Sequence, residues 1–220
     1  MGFSEEWDRK YQENSNMSVW PWSELVSLVM RRARPDSPLY SVLELGCGAG
    51  ANIPFFQWLG VEYYGIDGSP FIIDWLKKKY AELEDRLVAA DFTKSIPFGK
   101  TFDLIVDKSS MTHNPTEDIA AGMELVRKHL KPGGKFIGVG WFSTEHADYK
   151  RGEEVDVYTR RNLPDRHMSG LGNIHFFDKD HLLNVFAGFE IKELEHVIVK
   201  KSIPEDEHQL AWWNLFAERE

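Results

Sequence analysis

The stretch Leu43–Asn52, LELGCGAGAN, contains three glycines at alternate positions directly after a short apolar run, and Glu44 precedes the first of them by two residues. Glycine adopts positive φ angles at no steric cost and lets a ligand approach the backbone closely. A strand that runs into such a turn is typical of nucleotide-binding proteins. The stretch therefore predicts a site for an adenosine-bearing ligand.

Composition narrows the class of protein. The chain has 220 residues, a formal net charge of −9 and a single cysteine, Cys47. We expect one domain, no broad electrostatic contact with nucleic acid, and no internal disulfide. No apolar run approaches the roughly 20 residues that span a bilayer, and residues 1–12 lack the basic-then-apolar pattern of a signal peptide. These features predict a cytoplasmic protein, monomeric or homodimeric, without membrane or nucleic-acid partners.

Apolar runs alternate with helical patterns through the first two thirds of the chain. Strands are predicted to begin at Tyr40, Val61, Arg86, Thr101 and Gly134. Such alternation predicts an α/β fold, a doubly wound parallel sheet with helices on both faces. A helix over 178–187 and two apolar segments joined by a short loop then predict a C-terminal antiparallel hairpin.

Four segments of one domain, 1–220, follow from these patterns. Residues 1–36 are a helical lead, 37–142 the cofactor-binding core, and 178–220 the last helix and hairpin. Residues 143–177 are rich in Gly, His, Tyr and charge and show little periodicity. Long irregular segments in compact domains commonly serve as lids, so we expect this one to cover the substrate.

The glycine turn alone does not decide between two ligands. Gly46, Gly48 and Ala51 satisfy the dinucleotide pattern, and Asp67 lies about 20 residues on, where a ribose-binding acid belongs. A nicotinamide oxidoreductase would fit these residues. It would leave unexplained Asp91, which ends the third strand, and the run LKPGGK over 130–135 that introduces the fifth.

Together these features resemble the class I S-adenosylmethionine-dependent methyltransferases of small-molecule type. The resemblance extends over most of the chain and implies a Rossmann-like, seven-stranded sheet of order 3-2-1-4-5-7-6. It also implies S-adenosylmethionine as the cofactor and S-adenosylhomocysteine as the product. The implied cofactor-binding residues are Glu44, Gly46, Cys47, Gly48, Gly50, Asn52, Asp67, Gly68, Ser69, Asp91, Phe92, Asp107, Lys108, Trp20 and Tyr11.

The roles of the two main acids follow from their chemistry and from this resemblance. At the end of the second strand, Asp67 can accept both ribose hydroxyls in charge-assisted hydrogen bonds. Asp91 can accept from the adenine amine while the backbone N–H of Phe92 meets a ring nitrogen. Either acid could instead cap the helix that follows it.

Methyl transfer is a displacement in which the protein aligns a nucleophile, and a nearby base helps the nucleophile to lose a proton. The predicted catalytic residues are Asp107, at the end of the fourth strand, and His113. The histidine side chain titrates near neutrality and suits a base. Asn114 before Pro115 is predicted to cap the next helix.

Substrate contacts are predicted from the later segments. The candidates are His113, Trp141, Tyr149, Arg151 and His175, and the other arginines of 143–177 could hold an anionic group. An aromatic lid is expected from Trp7, Tyr11, Trp20, Trp22, Trp141, Phe142 and Tyr149, with ordinary packing as the alternative. The histidines show no short-spaced ligand pair such as H-x-x-x-H, so no metal site is expected.

The sequence thus favours methyl transfer to oxygen or nitrogen of a small metabolite, such as a sugar or a sugar-linked compound. Three alternatives stay open. They are a detoxifying methyltransferase directed at sulfur or another chalcogen, a nicotinamide oxidoreductase, and a cofactor-binding sensor or inactive partner subunit.

Overall fold

The protein is an α/β fold built on a seven-stranded sheet, as described by a computed structural model that covers residues 5–220. The first four residues of the predicted helical lead lie outside the described range. Helices are α1 Glu5–Gln12, α2 Ser23–Arg32, α3 Ile53–Leu59, α4 Pro70–Lys79, α5 Thr116–His129 and α6 Lys179–Val185. Strands are β1 Ser41–Leu45, β2 Glu62–Asp67, β3 Leu87–Ala89, β4 Phe102–Lys108, β5 Leu130–Phe142, β6 Glu153–Glu154, β7 Thr159–Arg161, β8 Ile174–His175, β9 Phe189–Ser202 and β10 Glu205–Arg219.

The order of the sheet is β3-β2-β1-β4-β5-β10-β9. The first five strands pair in parallel, and β10 pairs antiparallel with both β5 and β9. Because β9 and β10 are the sixth and seventh strands of this sheet along the chain, the order confirms the predicted 3-2-1-4-5-7-6. The doubly wound fold and the C-terminal hairpin are likewise confirmed.

Hydrophobic residues on both faces of the sheet hold the helices in place. Alternate residues of β1 point to opposite faces, so Val42 joins the core beneath α2, α3 and α4, while Leu43 joins the core beneath α5 and α6. Helix α2 contributes Leu25, Leu28 and Val29, which recur at helical spacing and are buried. Two apolar layers therefore fix the sheet edge at which a ligand would bind.

The start of α5 differs from the prediction that Asn114 caps it. The helix begins at Thr116, and Pro115 occupies the cap position. Asp156 caps the helix instead, because its Oδ2 accepts from the Thr116 amide at 3.0 Å. Asn114 donates to the Met111 carbonyl at 3.1 Å and closes the preceding 3₁₀ turn.

Parallel pairing brings the carboxyl ends of four strands together. Leu45 of β1 pairs with Ile66 of β2 and with Asp107 of β4, and Asp67 pairs with Ala89 of β3. Open parallel sheets bind ligands at this edge, where the strand order reverses. The glycine turn leaves β1 at that point.

Segment 143–177 contains regular structure of its own. A 3₁₀ helix, Ala147–Lys150, is followed by a three-stranded sheet of order β6-β7-β8. Three buried residues, Leu163, Met168 and Ile174, form a small core under it. Within residues 5–220, every helix is too short or too polar to cross a membrane.

Candidate functional site

A cavity of about 500 Å³ opens at the carboxyl ends of β1, β2, β3 and β4. Its volume lies in the range of small-molecule binding sites. Many of the predicted site residues line it: Tyr11, Glu44, Gly46, Cys47, Gly48, Asn52, Asp67, Gly68, Asp91, Phe92, Lys108 and His113. The wall is completed by residues from α1, from the chain before α2 and from segment 143–177.

The glycine turn forms the floor of the cavity. Gly46, Gly48 and Gly50 have φ angles of 61°, 50° and 77°, a region that disfavours residues with a Cβ. A Cβ added to Gly46 would lie 2.6 Å from Ser110 Oγ and closer still to Ser110 Cβ. The chain is therefore side-chain-free where it passes β4, and a ligand can lie directly on the backbone.

Gly46→Ala should destabilise the protein by about 1–3 kcal/mol more than Gly133→Ala, since the new methyl overlaps Ser110. Gly133 is a matched control, because its φ is also positive, at 69°, while a Cβ added there would have nothing within 4 Å. Urea unfolding of both variants measures the difference. Equal losses of stability would show that only the backbone angle matters at Gly46.

Asp67 is buried at the end of β2 and is held rigidly. Its Oδ1 accepts from the Ser69 amide and its Oδ2 from the Gly48 amide, both at 2.9 Å. Each oxygen keeps a further lone pair, so the carboxylate can accept two more hydrogen bonds from a ligand. Burial raises the pKa of Asp67 to about 6, which the two amide hydrogen bonds partly oppose.

Asp91 lies beyond the end of β3 on the same side of the cavity. Its Oδ1 accepts from the Thr93 amide at 2.9 Å and from the Thr93 hydroxyl at 2.6 Å, which fixes the turn. The alternative prediction that Asp91 stabilises the next turn thus describes one oxygen, and Oδ2 takes no part in these two bonds. Phe92 is buried beside it and lines the cavity.

Glu44 lies at the centre of a buried hydrogen-bond network. Asn52 Nδ2 donates to Glu44 Oε1 at 2.7 Å, and the Tyr63 hydroxyl donates to Glu44 Oε2 at 2.6 Å. Asn52 Oδ1 in turn accepts from the Trp22 amide at 3.1 Å. Burial raises the pKa of Glu44 to about 7, against these hydrogen bonds. The network ties the chain before α2 to the glycine turn.

Tyr63→Phe should destabilise the protein by about 1–3 kcal/mol at pH 8, because it leaves a buried carboxylate oxygen without a donor. The loss should shrink below pH 7, where Glu44 binds a proton and the charge that lacks its donor disappears. Tyr64→Phe is the control, since the Tyr64 hydroxyl contacts only Lys100 Nζ at 3.3 Å near the surface. Urea unfolding at both pH values tests this, and equal losses in the two variants would contradict it.

His113 ends a 3₁₀ turn after β4 and faces the cavity. Its Nδ1 lies 3.1 Å from the Asn173 carbonyl oxygen, which can only accept, so Nδ1 carries the proton and Nε2 keeps a lone pair. Trp7 of α1 packs edge-on against the imidazole, with ring centroids 5.0 Å apart. Burial lowers the pKa of His113 to about 4, and the ring is neutral at pH 7.

Asp107 lies beneath the cavity and does not line it. Its Oδ1 accepts from the Ser110 hydroxyl and from the Met111 amide, and its Oδ2 accepts from Trp141 Nε1 at 2.7 Å. Trp141 is itself fully buried. The predicted roles of Asp107 in catalysis and of Trp141 in substrate binding thus do not match their positions, because each satisfies the other inside the core.

The structure places five further predicted residues away from the cavity wall. Ser69 caps α4, and Trp20 is 81% exposed. The Tyr149 hydroxyl donates to the Val157 carbonyl, and Arg151 pairs with Asp148 and Asp165. His175 is buried between Thr159 and His181. Their side chains are occupied by local partners that spacing along the sequence does not reveal. The remaining arginines of segment 143–177, Arg160, Arg161 and Arg166, pair with Glu154, Glu6 and Asp206.

The sequence did not single out several residues of the wall. Asn114 is 1% exposed, lines the cavity, and has no hydrogen-bond partner for its Oδ1. Trp7 Nε1 is buried without a partner as well. Trp22 is not in the core but stands over Lys108, whose Nζ lies 4.3 Å from the ring. Other lining residues are Asn16, Ser18, Ser110, Gly140, Phe142, His167, Leu171 and Trp212.

Comparison with known proteins explains why these groups meet at one edge of the sheet. Residues 42–134 match the family model described as a methyltransferase domain. The chain is 31% identical over 97 residues to a cypemycin N-terminal methyltransferase of a Streptomyces species, over 43% of this chain and 39% of the relative. The chain belongs to the class I S-adenosylmethionine-dependent methyltransferases.

Two further relatives show how far this similarity to other methyltransferases extends. The sterol 24-C-methyltransferase of Kluyveromyces lactis is 25% identical over 179 residues, 78% of this chain and 44% of the relative. The chain thus spans about two fifths of the length of these curated methyltransferases. A methyltransferase structure from Methanosarcina mazei superposes with a TM-score of 0.68 at 15% identity, over 91% of this chain and 99% of that one.

Proposed function

We propose that this protein transfers a methyl group from S-adenosylmethionine to oxygen or nitrogen of a small metabolite by direct displacement. One observation carries the proposal: a single cavity joins a side-chain-free turn, the carboxylate of Asp67 with unused lone pairs, and His113 with a free Nε2. The first two are what an adenosyl ligand with an amino-acid tail requires, and the third suits an acceptor that must lose a proton.

The residues of the cavity fit this cofactor. Asp67 would accept both ribose hydroxyls, since both of its oxygens are aimed by backbone amides. Asp91 and the Phe92 amide would hold the adenine, and the turn at Gly46 would carry the methionine tail. Trp22 beside Lys108 would close this end of the cavity. When bound, the cofactor supplies an activated methyl group and a neutral leaving group.

The chain's own groups would bind and orient the acceptor. His113 Nε2 and Asn114 Oδ1 both accept hydrogen bonds, so together they suit a hydroxyl or an amine that carries a proton. Trp7 Nε1 offers a donor to a neighbouring acceptor atom of the substrate. The rings of Trp7 and Phe142 flank His113 and exclude water from the proton that it accepts.

The chemical class of the acceptor rests on these polar groups and on the acidic net charge. A sugar or a sugar-linked compound presents many hydroxyls and suits the mixed polar and aromatic wall. His167 and Leu171 line the cavity, which supports a covering role for segment 143–177. A net charge of −9 disfavours a polyanionic acceptor and supports a small metabolite in the cytoplasm.

The alternatives differ in what they need from the cavity. One relative is named for an N-terminus and another for a sterol carbon, so the relatives do not agree on the atom that is methylated. Sulfur or another chalcogen is the main alternative acceptor. A nicotinamide oxidoreductase would need a pyrophosphate on the turn, whereas the relatives are methyltransferases. A sensor would have the space beside the turn filled, yet residues before α2 and after β5 only wall the cavity.

The test begins with calorimetric titration of S-adenosylhomocysteine, S-adenosylmethionine and NAD⁺ into the purified protein. We expect binding of the first two only. Release of S-adenosylhomocysteine is then measured with hydroxyl, amine and thiol acceptors. Turnover with a hydroxyl or an amine is the expected result. Affinity for NAD⁺ alone would overturn the proposal, and tight binding without turnover on any acceptor class would favour the sensor.

A further inference from the structure

Three side chains meet on the far side of segment 143–177 and play no part in the cavity. His146 and Asp148 lie at the 3₁₀ helix Ala147–Lys150, and His208 lies on β10. We call them the histidine–aspartate cluster. None of the three lines the cavity described above.

The cluster contains two buried polar atoms that have no hydrogen-bond partner. Asp148 is 0% exposed, and only its Oδ1 is satisfied, by Arg151 Nη1 at 2.9 Å. Asp148 Oδ2 and His208 Nε2 are both buried and both unpaired, although they face each other at 3.4 Å. An unpaired buried acceptor is costly, and a carboxylate oxygen more so. Something other than a hydrogen bond must therefore satisfy these atoms.

The geometry suits a cation at the centre of the cluster. Asp148 Oδ2 lies 3.8 Å from His146 Nδ1 and 3.4 Å from His208 Nε2, and one ligand atom from each residue falls within 4.8 Å of the other two. Tetrahedral zinc with nitrogen and oxygen ligands at about 2.0–2.1 Å separates its ligand atoms by roughly 3.3–3.5 Å. We propose that His146, Asp148 and His208 bind one divalent transition-metal ion, with zinc as the expected occupant.

The chemistry of the donors agrees. Two imidazoles and a carboxylate form a ligand set that suits zinc, and a water molecule can take the fourth position. Burial lowers the pKa of His146 to about 4, so its ring is neutral and can donate an electron pair at pH 7. Arg151 orients Asp148 from behind, as partners outside the ligand shell commonly do.

Binding has one local cost. His146 Nδ1 accepts from the Asp148 amide at 3.1 Å, and the ion would take over this lone pair. In return it would join the 3₁₀ helix to β10, two elements far apart in sequence. The His167 ring, which lies 5.9 Å from that of His146, lines the cavity. The ion would thereby brace one wall of the cavity without entering it.

The spacing of the ligands explains why the sequence predicted no metal site. His146 and Asp148 are two residues apart, and His208 follows 60 residues later on another strand. A search for short-spaced histidine pairs does not find such a set. The competing explanation is that His208 takes a proton and pairs with Asp148, and in that case no ion binds.

The full-length chain, stripped with a chelator, is titrated with Co²⁺ and followed by the ligand-field absorption of the bound ion in the visible range. We expect one equivalent to bind, and Zn²⁺ to displace it. His208→Gln should weaken Co²⁺ binding by about 100-fold or more, since it removes a ligand. His129→Gln is the control, because His129 lies at the end of α5 and contacts only the Leu125 carbonyl.

A second measurement does not depend on colour. Zn²⁺ should raise the thermal unfolding midpoint of the wild-type protein and of His129→Gln, but not that of His208→Gln. Absence of stoichiometric Co²⁺ binding in the wild type would overturn the proposal, as would equal affinity in His208→Gln. Neither readout involves methyl transfer, so the site can fail while the proposed function stands, and the reverse also holds.

Discussion

Asp67→Asn should weaken binding of S-adenosylhomocysteine by about 10²- to 10⁴-fold. Both carboxylate oxygens of Asp67 already accept a backbone amide at 2.9 Å. The asparagine must turn its NH₂ group toward one of these amide donors, so it loses that hydrogen bond and one acceptor for the ribose. Hydrogen bonds to a charged group contribute about 1.5–3 kcal/mol each, and two are weakened here. Isothermal titration calorimetry measures the change.

Asp103→Asn is the matched control for this experiment. Asp103 lies at the opposite end of β4, where it accepts from the Ser41 amide and from Lys131 Nζ, both at 2.8 Å. Its substitution should lower stability and leave the affinity within about threefold of the wild type. If Asp67→Asn behaved in the same way, the ribose would have to bind elsewhere.

The pH dependence of binding gives an independent check on Asp67. Burial raises the pKa of this carboxyl to about 6 in the free protein, and the acceptor form is the ionised one. Affinity for S-adenosylhomocysteine should therefore be constant above pH 7 and fall below pH 6, by roughly tenfold per unit at most. Asp67→Asn should not show this fall. A wild-type profile that is flat from pH 5 to pH 8 would contradict the assignment.

Sequence reasoning recovered the sheet because its signals are local. Apolar runs end in glycines or acids at Gly46, Asp67 and Asp91, and the strand order follows from right-handed crossovers between parallel strands. The same residues meet at one sheet edge, since parallel strands share a direction. Much of the cofactor side of the cavity was therefore predictable from one stretch and two acids.

The substrate side was less predictable, for a physical reason. Asp107 and Trp141 are 34 residues apart, and only the β4–β5 pairing shows that they bind each other. Asn114 reads as a helix cap until Asp156 is seen to cap α5 in its place, which frees the amide oxygen of Asn114. In each case a polar residue was assigned to the ligand or the helix, and a distant residue decided the outcome.

His113→Ala should lower kcat by about 10²- to 10⁴-fold and leave the affinity for S-adenosylhomocysteine within about threefold. The Asn173 carbonyl fixes the proton on Nδ1 at 3.1 Å, so only Nε2 can accept the acceptor's proton. Alanine removes this lone pair but not the residues that bind the cofactor. The measurement uses whichever acceptor gives turnover, at saturating S-adenosylmethionine. His129→Ala serves as the control for loss of a histidine elsewhere.

The rate profile should carry the signature of a buried histidine. Burial lowers the pKa of His113 to about 4, so the ring stays neutral well below the 6.5 of an exposed imidazole. If His113 is the base, kcat at saturating cofactor should hold from pH 8 down to about pH 5 and fall only as pH approaches 4. The sign is fixed, because protonation fills the lone pair of Nε2 and abolishes the base. Unchanged kcat in His113→Ala would remove the residue from the mechanism, and an acid limb centred at pH 6.5 would place the titrating base elsewhere.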